Sequence, residues 1–251
     1  MNKQLHNIET IASLQENVVA IWSADIMPPH SITPDLLVPD GYIEVLFIIS
    51  GGFKRRKLSS AHDRFIVNRS VIIGIQDTVF MSQPIGHLKC IGILFDPMQF
   101  YLLFGDIGAQ LRNKHRPVSK SGHNGLTQLE ENIHEAASVT EALQEIESFF
   151  ADYAPQYTAC DNWRMTQDYL QDLRIKKENG IHTDTSKLDT IDQKTLNAIV
   201  VQFTGFTLEE LSTIISTAVT YEEPDRDEST SFPSLKKLWN DIDESQEDQQ
   251  P

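Results

Sequence analysis

Cysteine is nearly absent from this chain, with only Cys90 and Cys160 among 251 residues. They form no CxxC pair or other metal spacing, so both read as reduced thiols, Cys90 as packing within its apolar run. No stretch approaches ~18 uninterrupted apolar residues, and no membrane span is expected. The opening MNKQLHNIETIASLQ lacks the apolar core of a secretory signal, which makes a cytoplasmic protein the expectation. The eight histidines are scattered, no two within four residues of each other. A metal site inside a β-sandwich usually needs a His-x-His pair with further ligands, and that pair is missing. No Gly-x-Ser-x-Gly turn and no glycine-rich phosphate loop occurs either. The expectation is therefore no catalytic residue, no metal and no cofactor.

Positive charge is the next shortage. Residues 1–118 carry 11 Lys+Arg and 10 Asp+Glu, whereas residues 119–251 carry 10 and 26, giving the net charge of -15. Long-range attraction to phosphates is thereby absent from the C-terminal half. What the chain does have is 40% hydrophobic and 8% aromatic residues, enough for a substantial core in one large domain or two smaller ones.

Short runs rich in Val, Ile and Phe, punctuated by Pro, Gly, Asn and Ser, predict β structure over the first 95 residues. The strands fall at 18–23, 43–50, 65–67, 70–73, 79–82 and 88–95. The runs 43–50 and 88–95 are nearly continuous in apolar residues, which suggests strands covered on both faces. Gly51-Gly52 reads as a turn, and Lys54-Arg55-Arg56-Lys57 as an exposed, solvated strand, with nucleic-acid contact the less favoured alternative. Many short antiparallel strands without intervening helices favour a sandwich or barrel, a jelly roll included. At Asp96-Pro97 the pattern changes: an Asp cap with Pro at the first helical position starts a helix that Gly105 ends. Amphipathic helices follow at 125–136, 139–153 and 163–176, then a loop at 177–185 and two further helices at 193–203 and 208–220. Beyond residue 222 the chain is acidic and polar apart from one short apolar helix at 232–242.

Three side chains stand out as ligand-binding candidates. Glu44 is charged within an otherwise apolar strand, so it either faces solvent or lines a pocket, where it would orient a ligand or pair with an Arg. His87, just before the 88–95 strand, reads as a rim histidine or a ligand contact. Trp22 reads as core or as a ligand platform. The segment DQKTLNAIVVQFTGFTLEEL, beginning at Asp192, has the outline of a helix-turn-helix reading element with little of the charge such an element needs. Its exposed early positions are Gln193, Lys194 and Asn197, with Val201 a further candidate; Gln and Asn can pair with adenine and Lys can reach guanine or phosphate. A plain helical hairpin is the alternative.

The stretches LVPDGYIEVLFIISGG, VIIGIQDT and GHLKCIGILFDPMQFYLLFG together resemble the N-terminal sensor domain of a subgroup of AraC-family transcription regulators, in order and in spacing, over about residues 18–153. In that group a Pro-Asp-Gly … Glu-Leu-Ile-Phe strand and a Gly-Ile-x-Phe-x-Pro … Leu-Phe-Gly passage are typical. The resemblance implies an α+β chain, an N-terminal cupin-like antiparallel β-sandwich followed by an all-α C-terminal half. It divides into a sensor domain at 1–118, a helical connector at 119–178, a helix-turn-helix-like region at 179–221 and an acidic tail at 222–251. TLNAIVVQFTGFTLEEL is similar to the end of the family's first helix-turn-helix, matching at Leu196, Gly205 and Thr207. It departs with Ala198 in place of an Arg, Val200 in place of a core Phe and Leu208 in place of a Pro. Upstream, Thr185-Ser186 and Thr190 stand where the supporting helix and its turn glycine belong, and no second motif is recognisable after Thr220. The function that follows is a regulator homologue sensing a small molecule or protein partner, with DNA binding weakened or lost. A working DNA-binding regulator is the alternative and a cupin-type enzyme the least supported; a homodimer stays open.

Overall fold

The computed structural model describes residues 4–6, 18–27, 34–59, 64–152, 161–178 and 193–220. Within them the protein is α+β, an N-terminal antiparallel sheet followed by helices. The strands are β1 (Gln4–His6), β2 (Ala20–Ile26), β3 (Asp35–Leu37), β4 (Ile43–Lys57), β5 (Arg64–Val67), β6 (Val71–Ile73), β7 (Phe80–Phe95) and β8 (His115–Pro117). The helices are α1 (Pro97–Phe104), α2 (Ile107–Gln110), α3 (Asn124–Glu135), α4 (Val139–Asp152), α5 (Asp161–Glu178), α6 (Gln193–Thr204) and α7 (Leu208–Thr220). The acidic tail, Asp192, Cys160 and the residues expected to support a helix-turn-helix lie outside the described residues.

β4 and β7 form the spine of the sheet, paired antiparallel from Ile43 opposite Phe95 to Lys57 opposite Phe80. Around their first stretch the strands run β1-β2-β7-β4-β6-β8, while β3 and β5 pair with the far ends of β7 and β4. The expected turn at Gly51-Gly52 is instead an irregularity inside one continuous 15-residue strand. Register shifts fall between Ile48 and Ser50 and between Ser50 and Gly52. Gly51 takes φ +70°, and a Cβ there would meet the His87 and Ile85 carbonyl oxygens at 2.6 and 2.7 Å, so only glycine fits. The extra β4 residue reverses its facing: Glu44, Leu46 and Ile48 point one way before the shift, and Phe53, Arg55 and Lys57 point that way after it. The expectation of a solvated strand at residues 54–57 is overturned, because β5 and β7 flank this stretch. Arg55 and Arg56 retain only 7% and 5% of their surface.

The expected double coverage of the sheet is present. On one face Ile43, Val45 and Phe47 of β4 join Ile91, Ile93 and Phe95 of β7 in a core shared with α1 and the later helices. On the other face Trp22, Leu46, Phe53, Val67, Leu88 and Cys90 pack together between the two ends of the sheet. α1 starts as the sequence predicts: the Asp96 carboxylate accepts the Met98 N–H at 2.9 Å, Pro97 opens the helix and Gly105 closes it. Six of its eight residues are buried, so it is a core helix rather than an amphipathic one. α3 and α4 pack as an amphipathic pair through Leu126, Leu129, Ile133, Ala142, Ile146 and Phe150. α6 buries Leu196, Ile199, Val200 and Phe203, of which Ile199 and Phe203 pack with Met98 of α1. The rings of Tyr101, Trp163 and Phe203 meet edge to face at 4.9 to 5.5 Å. Among the described residues no single helix is long and apolar enough to cross a membrane.

Candidate functional site

The face of the sheet that carries Trp22, Glu44 and Arg55 lines a semi-open cavity of about 840 Å³, within the size range of small-ligand sites. One side is built from Trp22 of β2, Glu44 of β4, Ile73 of β6 and Leu94 of β7; the other comes from Arg55 and Lys57 of β4, Phe65 of β5 and Phe80 of β7. Strand alternation alone aims these side chains inward, and the shift in β4 is what brings Arg55 rather than Arg56 to the cavity. Arg56 lies on the opposite face, its Nη2 donating to Met81 Sδ at 3.2 Å.

Two of the three side chains singled out in the sequence meet here. The Trp22 indole Nε1–H donates to Glu44 Oε1 at 2.9 Å. Gly92, opposite Trp22 in the register, makes this possible, since a Cβ there would lie 2.3 Å from the indole ring. The structure does not bring His87 to the cavity: its Nε2 lies 2.6 Å from Asp25 Oδ1 beside the Gly86 bend, and Lys89 joins Asp25 at 3.5 Å.

Sequence reasoning missed the site's strongest charge, Arg55. Burial pushes its pKa below the usual arginine value, and the negative charge of Glu44 only partly opposes that. The Nε–H of Arg55 finds no acceptor, and its guanidinium sits 5.4 Å from the centre of the Phe53 ring. Nearby, His115 of β8 stacks on Phe65 at 4.7 Å, its pKa lowered by burial and then by the charge of Arg55. At the mouth, Asp40 keeps accessible surface yet is crowded by protein atoms. That crowding pushes its carboxyl up to about 6, with the Glu44 charge adding and the Tyr42 N–H and Arg174 opposing. The signal for Arg55 lay in the sequence as the cationic run beside two glycines, but only strand pairing turns a glycine pair into a reversal of facing. Among the described residues no three His, Cys, Asp or Glu side chains converge as a metal-binding set.

The 38–42 loop at the cavity mouth rests on the helical half. Arg174 of α5 donates to the Gly41 carbonyl at 3.1 Å and to Asp96 Oδ2 at 2.8 Å, and lies 4.4 Å over the Tyr42 ring. Gly41 itself sits against Leu211 and Ile215 of α7.

The candidate DNA-reading residues lie apart from the cavity, on α6. Gln193 and Lys194 are exposed at its start. Asn197 is turned to its own chain, its Oδ1 accepting the Leu208 N–H at 2.9 Å and so capping α7. The α6–α7 corner is tied to the sheet domain by Arg112. Its guanidinium takes Glu210 bidentately at 2.6 and 3.2 Å, donates to the Gly205 carbonyl at 3.1 Å and covers the Phe206 ring at 4.0 Å.

No protein-family model matches the sequence, and no curated protein does. Among solved structures, the chain is similar to ToxT from Vibrio cholerae bound to (E)-4-(8-methylnaphthalen-1-yl)but-3-enoic acid, with 12% identity and a TM-score of 0.35 over 77% of this chain and 79% of that one. It is similar to the AraC-like transcriptional activator CuxR, with 10% identity and a TM-score of 0.28 over 98% and 94%. It is similar also to PhpD with cadmium and hydroethylphosphonate, with 9% identity and a TM-score of 0.26 over 84% and 53%. Likenesses of this size assign neither a family nor an activity, and the functional reading rests on the cavity and the surfaces around it.

Proposed function

We propose that this protein is an AraC-type regulator homologue whose sheet domain takes up a small effector and passes its presence to the helices, with DNA binding weakened or lost. One observation carries the reading: the cavity wall includes the 38–42 loop, and that loop is held by Arg174 of α5 and packed on α7. An occupant that shifts Asp40 or Tyr42 acts directly on the helices, because packed elements transmit strain rather than absorb it. The resemblance of the strand and strand-to-helix stretches to a sensor domain agrees with this. The test is to screen small molecules by thermal shift and map each hit by hydrogen exchange. Expected are hits that slow exchange in the 38–42 loop and in α5 and α7 together; protection confined to the cavity strands would sink the coupling.

DNA reading is the alternative function, favoured by Gln193 and Lys194 at the exposed start of α6. Against it, residues 193–220 hold one cation, Lys194, and two carboxylates, Glu209 and Glu210, while Asn197 is engaged in capping α7. A protein neutralising six phosphates shows a slope of about -5 in log affinity against log salt. We expect no duplex binding at low salt to fragments from the gene's own neighbourhood. Binding with such a slope, lost in Lys194→Ala, would restore the DNA-reading function.

A further inference from the structure

Resting on the cavity as an effector site, we propose that its occupant is an amphipathic carboxylate, an apolar body carrying one anionic head that Arg55 receives. Arg55 is a charged group with 7% of its surface left and lines the cavity. Its Nε–H has no acceptor, and no carboxylate forms an ion pair with it among the described residues. The carboxylate whose charge acts on it is Glu44, whose Oε1 accepts the Trp22 indole N–H. A desolvated guanidinium keeps its proton and demands acceptors, and its planar fork matches the two oxygens of a carboxylate.

The rest of the wall agrees in sign and in polarity. Among its described residues Lys57, Arg64 and Lys114 join Arg55, four cations against the two carboxylates of Asp40 and Glu44. Between these charges the wall is apolar, with Phe65 and Phe80 paired beside Arg55 and Lys57, Ile73 and Leu94 paired beside Glu44, and Leu36 completing it. A sugar would leave these apolar walls facing hydroxyl groups, and a bare inorganic anion would leave them facing water. An apolar chain or ring ending in a carboxylate satisfies both surfaces at once.

The test uses octanoate, its neutral isostere 1-octanol and inorganic phosphate, titrated calorimetrically against the full chain. Octanoate is expected to bind, octanol to bind at least tenfold more weakly, and phosphate neither to bind nor to compete. Losing charge-assisted hydrogen bonds, Arg55→Gln should weaken octanoate on the order of tenfold to a hundredfold and leave octanol unchanged. Arg55→Lys, keeping charge but losing the fork, should fall between them and decides the matter if Arg55→Gln does not fold. Ile73→Trp, which fills the cavity on the side away from Arg55, should abolish both ligands. No octanoate binding, octanol binding as tightly as octanoate, or competition by phosphate overturns the carboxylate assignment. Undiminished octanoate binding in a folded Arg55→Gln protein does so too. Octanol binding that Ile73→Trp removes would leave the effector cavity standing without its anion preference. Octanoate and octanol binding that survives Ile73→Trp would remove the cavity reading as well.

Discussion

A guanidinium held out of water without a paired carboxylate is a stability liability, and Arg55 is such a group. Burying an ion costs several kcal/mol, and filling such a site with an apolar chain of similar length is neutral or stabilising. Arg55→Met is therefore expected to raise the unfolding free energy of the empty protein by about 1–3 kcal/mol. Urea denaturation checks this as a higher midpoint at unchanged m-value; a lower midpoint would mean that Arg55 supports the fold rather than a ligand. The sequence pointed to Glu44 and Trp22 because a charge or an indole within an apolar strand has few bland uses. It could not point to Arg55, because a cation in a cationic run looks solvated until the neighbouring strands are known.

At the level of elements, one polar side chain, Arg112, clamps the α6–α7 corner. Arg112 joins Glu210, the Gly205 carbonyl and the Phe206 ring, and its hydrogen bond, with that from the Thr207 N–H, holds the Glu210 carboxyl down at about 2. Arg112 and Glu210 side chains are 40% and 41% exposed, so solvent screening keeps the contribution near 1 kcal/mol. A depressed carboxyl pKa stabilises the fold above its ordinary value of 4.5, and that stabilisation is lost as the pH falls through about 2. Arg112→Ala should therefore cost about 1 kcal/mol at pH 7, and the difference from the wild type should narrow in strong acid to what the Gly205 and Phe206 contacts supply, as followed by urea midpoints across pH. Hydrogen exchange should quicken in α7 and leave β4 and β7 unchanged. The helices of eight residues or more were legible at nearly their observed limits, because capping residues and 3.6-residue periodicity are local properties, whereas the four-residue α2 was not expected. The strands were less so: 79–82 and 88–95 proved to be one strand, since Pro84 pairs in register with Phe53 and Gly86 sits at a register shift rather than at an end.

Across the whole molecule, Arg174 joins the two halves. Its head reaches Asp96, which caps α1, and the Gly41 carbonyl beside the cavity, with side-chain exposures of 10% for Arg174 and 14% for Asp96. Removing one partner of a buried pair strands the other, so Arg174→Ala should lose about 3–5 kcal/mol, read as a drop in urea midpoint. Arg174→Lys should recover little of it, because an ammonium cannot serve the carboxylate, the carbonyl and the Tyr42 ring from one position. A loss below 1 kcal/mol would mean that the loop and the helices are not energetically joined through this residue.

By itself the sequence determined the class of the fold, the limits of the longer helices, the covered spine strands and the shortage of cations in the C-terminal half. Each of these is written in local periodicity, capping or composition. Only the tertiary structure decided that Gly51 carries an irregularity instead of a turn, that Arg55 faces a cavity and Arg56 does not, and that His87 stands apart from both. It also decided that Asn197 serves α7. The physical reason is common to all four: which way a strand residue faces, and what a helix residue can reach, depends on partners distant in sequence, and one inserted residue in β4 reverses every side chain beyond it.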